Sequence, residues 1–196
     1  MSLEQEAEAI AKATMAMKER MFREGGHRDS PPILGVMLKG WDEFSLAPPE
    51  IISLAWKLAG GDAPTAVKAV IESAPPAFEQ DEDAEGPFPG FHRIFLAVDG
   101  YTTTAESVDD YQRGDMEQDF KSNPASTVMV VLTVTVIGED LVGGSEMAMA
   151  RCPYVVTDGG VMEFKPIELA SDNDDNKIGG AVSDVMREAF TSANSG

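Results

Sequence analysis

Apolar positions recur along this chain with two periods, one helical and one extended, and the longest apolar run, Ser126 to Gly138 (STVMVVLTVTVIG), is too dense for either. Rich in Val and Thr and free of charge, it predicts a strand buried on both faces at the middle of a sheet. Near the N-terminus, Leu3, Ala7, Ile10, Thr14, Met17 and Met21 recur at spacings of four and three among Glu, Lys and Arg. That pattern predicts an amphipathic helix of about six turns, ended by Gly25-Gly26. Pro32 to Lys39 reads as a short strand. Pro48-Pro49-Glu50 opens a helix with proline in its first turn and an acid near the positive end of the dipole. Ile51, Leu54, Ala55 and Leu58 form its apolar stripe, and Gly60-Gly61 closes it. A second short helix spans Pro64 to Ser73, with Ala66, Val67, Val70 and Ile71 inward.

Residues 74–90 interrupt this order. Proline, glycine and a run of acids leave too little apolar surface to offset the entropy of ordering, which predicts a mobile acidic loop. Phe78 and Phe88 flank Asp81, Glu82 and Asp83 like anchors around a charged centre. Phe91 to Thr104 predicts the next strand, with Ile94, Leu96 and Val98 on one face and Phe95 and Ala97 on the other, and residues 105–125 read as a polar loop. After the central strand, glycine-rich turns near Gly143-Gly144 and Asp158-Gly159 lead into Ser145 to Val156 and Val161 to Ile167, a β-meander. Ser171 to Asn176 is a polar turn able to cap a helix, and Ile178, Val182, Val185, Met186, Ala189 and Phe190 then repeat at helical spacing. The expected fold class is α+β: one domain over 1–196, a largely antiparallel sheet of about five strands ending in a β-meander, flanked by N-terminal and C-terminal helices.

Charge narrows the partners. Among 196 residues, 15 Lys and Arg stand against 34 Asp and Glu, a net charge of −19. Such a chain repels nucleic acid phosphates and anionic membranes, so neither is expected as a direct partner. A protein partner or self-association is expected instead. One cysteine, Cys152, rules out an internal disulfide, and the first residues carry acids among their apolar positions, unlike a secretory leader. Cytoplasm is the expected compartment.

Candidate chemistry is sparse. Strand ends at Trp41-Asp42 and Asp99-Gly100-Tyr101 each carry an aromatic residue and an acid, so parallel neighbouring strands would gather Trp41, Asp42, Asp99 and Tyr101 at one edge as a ligand site. The run Asp172, Asp174, Asn176 resembles the start of a calcium loop, but Lys177 stands where glycine is needed and Ser183 where the bidentate glutamate belongs. His27, His92 and Cys152 are the only residues from which a nucleophile and base could be drawn, and Cys152 precedes Pro153 inside an apolar strand, a setting for a small hydrophobe. No cofactor, metal or catalytic set is expected. The sequence therefore points to a non-enzymatic acidic interaction or assembly protein, such as a component of a phage or bacterial complex. Leu3, Ile10, Met17 and Met21 of the first helix, together with Phe78, Asp81, Glu82, Asp83 and Phe88, are its candidate contacts. Two other classes stay open: an acidic inhibitor or nucleic-acid mimic of a basic partner, and a small-molecule-binding protein or enzyme using the Trp41/Asp42/Asp99/Tyr101 edge.

Overall fold

The N-terminal helix begins on a reciprocal cap. Gln5 donates its backbone N–H to Ser2 Oγ (3.3 Å), and Ser2 donates its own to Gln5 Oε1 (3.0 Å), which satisfies two otherwise unpaired donors. In the computed structural model, which describes residues 1–25, 31–83, 86–102, 129–139, 144–157, 161–172 and 177–195, this helix is α1 (Leu3–Gly25). It is followed by β1 (Ile33–Leu38), β2 (Ser45–Leu46), α2 (Pro49–Leu58), α3 (Ala63–Glu72), α4 (Ala74–Glu79), β3 (Phe91–Thr102), β4 (Met129–Glu139), β5 (Ser145–Val156), β6 (Met162–Phe164), β7 (Glu168–Ser171) and α5 (Ala181–Asn194). The polar stretch 105–125 and His27 lie outside the described residues.

Among the described residues, all strands join one antiparallel sheet in the order β2-β1-β3-β4-β5-β6, with β7 also on β5. The fold class is α+β, with β4 in the middle as its composition predicts. Two short strands beyond the expected five complete the sheet. β2 is a two-residue edge on β1, and β7 continues along β5 after Pro166, which has no N–H to give a ladder, separates it from β6.

Alternation along the strands builds two cores. One face carries Phe95, Ala97, Leu132, Val134, Val136, Ala148, Ala150, Cys152 and Tyr154, and α1 covers it with Leu3, Ala7 and Ala11. The other carries Leu34, Leu38, Ile94, Leu96, Ile137 and Met147, packed under Ile52 of α2, Val67, Val70 and Ile71 of α3, and Met186, Ala189 and Phe190 of α5. The buried stripe of α1 runs Leu3, Ala7, Ala11, Thr14, Lys18. It departs from the expected seam, because Ala11 and Lys18 are the fully buried positions while Ile10 and Met17 are only half-buried. Lys18 is drawn inward by Asp99 on β3, a partner that no local periodicity reveals.

Close approach fixes the β1–β3 seam. Gly35 pairs with Phe95, whose ring lies over the glycine backbone and meets Phe44 edge-on at 4.9 Å. A Cβ on Gly35 would lie 2.1 Å from Phe95 Cε1. With Phe95 buried and held by Phe44, the ring has little room to retreat. Gly35→Ala is therefore expected to destabilise the fold by about 1–3 kcal/mol, read as a lower urea midpoint. Trimming the ring in the same chain, Phe95→Leu, should make the added methyl less costly, and an unchanged midpoint for Gly35→Ala alone would contradict the close contact.

Candidate functional site

Helix α2 decides where the candidate site lies. Its stripe of Ile51, Leu54 and Leu58 has the spacing of a core-facing surface, yet these residues are 48%, 56% and 78% exposed, and only Ile52 of the helix is buried. Between the β1 edge of the sheet and helices α3 and α4, at the start of α2, lies a cavity of about 300 Å³. Leu34, Val36 and Leu38 of β1 form its floor, and α3 and α4 supply Val70, Ala74, Ala77 and Phe78. Trp41, Leu46 and Ile51 stand at its mouth. A second hollow of about 290 Å³ shares Ile51, Val70 and Ser73 with the first and continues past Leu54 and Leu58. Together they form an apolar groove along the α2–α3 seam.

Local chemistry explains how each wall is placed. Trp41 leaves the sheet through a tight turn in which its N–H donates to Leu38 O (3.0 Å), and Gly40 takes the positive φ of 91° that this turn requires. Asp62 caps α3 by accepting from Thr65 N (3.0 Å), and hydrogen bonding from the Thr65 side chain, then from that backbone N–H, holds its carboxyl below the usual range. Pro75 and Pro76 sit in the first turn of α4, where their missing N–H groups cost nothing. The segment expected to be an open acidic loop thus starts as a helix. Phe78 packs on Phe88 (5.9 Å between centroids), and Phe88 on Phe91 (5.1 Å). These two aromatic contacts tie the segment to the helix-side core, and Asp81 lies at the groove wall.

The structure regroups the residues singled out in the sequence. Trp41 of the expected ligand edge meets Phe78, Asp81 and Phe88 of the expected interaction segment in one groove. Asp42 and Glu43 share a shallow depression with Trp41 beside it. Glu82 and Asp83 follow Asp81 on the exposed surface. The expected gathering of Trp41 and Asp42 with Asp99 and Tyr101 does not occur. β1 and β3 are antiparallel, Leu38 pairing with Phe91 and Ile33 with Ala97, so Asp99 lies at the opposite end, roughly 26 Å along the strand at about 3.3 Å per residue. Tyr101 pairs with Val130 at that far end. Asp99 instead binds the Lys18 ammonium beneath α1, 5.3 Å from whose Nζ lies the ring centre of Tyr154.

The candidate contacts on α1 are largely taken up within the chain. Leu3 is buried, Ile10 packs half-buried against the sheet-side core, Met17 is half-buried and Met21 is exposed. Cys152 is buried in β5 and burial pushes its thiol up to about 11, so it holds its proton near neutrality. His92 starts β3, two strands away and toward the other end of the sheet. Asp172, the first residue of the calcium-like run, accepts from Met147 N, Ile178 N and Arg187, while α5 starts at Gly180 without a side-chain cap. Asp174 and Asn176 lie outside the described residues. Among the described residues, no cluster of three or more His, Cys, Asp or Glu is arranged to hold a metal ion, and no helix is long and apolar enough to cross a membrane.

The sequence reading missed Leu46, Ile51, Leu54 and Leu58 as site residues. The signal was present as an apolar stripe on α2, but periodicity cannot say whether a stripe faces a core or a groove. Fold and site together define an α+β protein with helices on both faces of an antiparallel sheet and an open apolar groove near its β2 edge. Comparison of the chain with protein-family models, curated proteins and solved structures found no match.

Proposed function

We propose that this chain is a non-catalytic interaction protein that seats a segment of a protein partner in the α2–α3 groove. The outward stripe of Ile51, Leu54 and Leu58, continuous with Trp41 and Leu46, carries the reading. A contiguous exposed apolar surface lined by aromatic and aliphatic side chains has the composition of an interface core. The groove walls hold few polar groups, Asp81, Ser45, Ser73 and Thr65 among them, and no Lys, Arg, His or Cys is among its described lining residues. That composition suits binding better than acid–base or nucleophilic chemistry. The single, buried cysteine supports a reducing compartment, and the cytoplasm is the setting we infer.

The test is native mass spectrometry of the tagged protein recovered from its own cells. Leu54→Asp with Leu58→Asp alters exposed positions, so the melting temperature should stay close to that of the parent chain. The parent is expected to carry a protein partner that the double variant loses. A partner retained by the variant, or a bare monomer carrying only a small-molecule mass, would overturn the proposal.

A further inference from the structure

Resting on that reading of the groove, we infer that its occupant is a basic amphipathic helix from a different protein. Three features select it. The groove runs along α2, whose ten residues span about 15 Å. That length accepts apolar side chains from about three successive turns of a helix, the i, i+3/i+4, i+7 pattern of helix-in-groove recognition.

Backbone chemistry disfavours an extended occupant. The edge of β1 that would template an added strand is already paired with β2, Gly35 to Leu46 and Val36 to Ser45, and β2 itself offers only two residues. A helix satisfies its own N–H and C=O groups and needs no such edge.

Charge then selects the partner. Asp42 and Glu43 stand beside Trp41, Asp81 lines the wall and leads into Glu82 and Asp83, and Glu50 lies one turn before Leu54 on α2. All six are exposed. Lys57, the cation of this helix, lines a different depression with Pro32, Ser53 and Trp56. An acidic rim around an apolar floor complements apolar anchors flanked by Lys or Arg. A second copy of the chain is disfavoured by the same rim. In a two-fold contact the patch would meet itself, carboxylate against carboxylate, between chains of charge −19 each.

The probe is a fluorescent peptide of about 18 residues, about five helical turns, built of Leu and Lys with Leu at helical spacing. Two controls accompany it: a scrambled isomer of the same composition, and a counterpart with every Lys replaced by Glu. Anisotropy titrations are expected to show the Leu–Lys helix binding at least about tenfold more tightly than either control. Leu54→Ala with Leu58→Ala should weaken it about tenfold, and Asp81→Asn with Glu50→Gln should weaken it and flatten its salt dependence. Equal binding of the scrambled isomer would mean that charge alone attracts the peptide, and would overturn the inference. Equal binding of the Glu peptide, or no binding of any of the three, would overturn the basic helix while leaving the groove itself to the Leu54/Leu58 experiment on the native complex.

Discussion

Lys18→Met is expected to lower the stability of the fold by about 3–5 kcal/mol, the usual effect of leaving one buried charge without its partner. The Lys18 side chain is 1% exposed and that of Asp99 is 10% exposed, so both ions have left most of their water. Methionine keeps the apolar stem and its packing, which isolates the loss to the ammonium. The Asp99 carboxylate then stays buried beneath α1, and its Oδ1 already lacks a hydrogen-bond partner among the described residues. The Tyr154 ring also loses the cation beside its face. Lys18→Met with Asp99→Leu removes both charges and should recover most of the loss, because a well-packed apolar pair avoids the desolvation that the ion pair must offset. Urea unfolding of the three proteins gives the comparison. A single-variant cost below about 1 kcal/mol, or a double variant less stable than the single, would show that the pair is not buried as described.

Asp172→Ala should cost a comparable amount and loosen a different part of the molecule. The carboxylate accepts from Met147 N (3.1 Å), Ile178 N (2.7 Å) and both terminal nitrogens of Arg187 (2.8 and 3.3 Å). Arg187 also donates to Ser145 O and Ile178 O. This one side chain therefore fastens the start of β5 to the turn before α5 and to α5 itself. Its removal strands two partly buried backbone donors and a largely buried guanidinium, for an expected loss of about 3–5 kcal/mol. Hydrogen exchange should locate the damage in α5 and the β5–β7 ladder, with α2 and β1 less affected. Adding Arg187→Met to Asp172→Ala should cost little more, since the two residues act as one unit. Fully additive losses would sink the idea of a shared clip.

Strand identity and burial were readable in the sequence because they follow from local composition. The described part of the Val- and Thr-rich run at 126–138 lies in β4 (Met129–Glu139), with a neighbouring strand on each side. Ile94, Leu96 and Val98 indeed oppose Phe95 and Ala97 across the sheet. Residues 74–90 misled the reading because Pro75 and Pro76 look like loop formers, yet they occupy the first turn of α4, the one helical position that tolerates proline. The same segment brings Asp81 and Phe88 to Trp41, a meeting of positions far apart in the chain that no spacing encodes.

What the sequence determined by itself was the α+β class, the central strand, the two faces of β3 and the net charge of −19, all consequences of period and charge along the chain. Tertiary structure alone decided the rest. Antiparallel pairing of β1 with β3 separated Trp41 from Asp99, because direction of pairing is a relation between distant segments. The partner of Lys18, Asp99 on β3, put a buried lysine on the sheet-facing stripe of α1 where the apolar seam pointed to Met17. On α2, burial of Ile52 against the sheet left Ile51, Leu54 and Leu58 facing outward, since only the arrangement of β1, α3 and α4 around it determines which apolar stripe meets a core and which lines a groove.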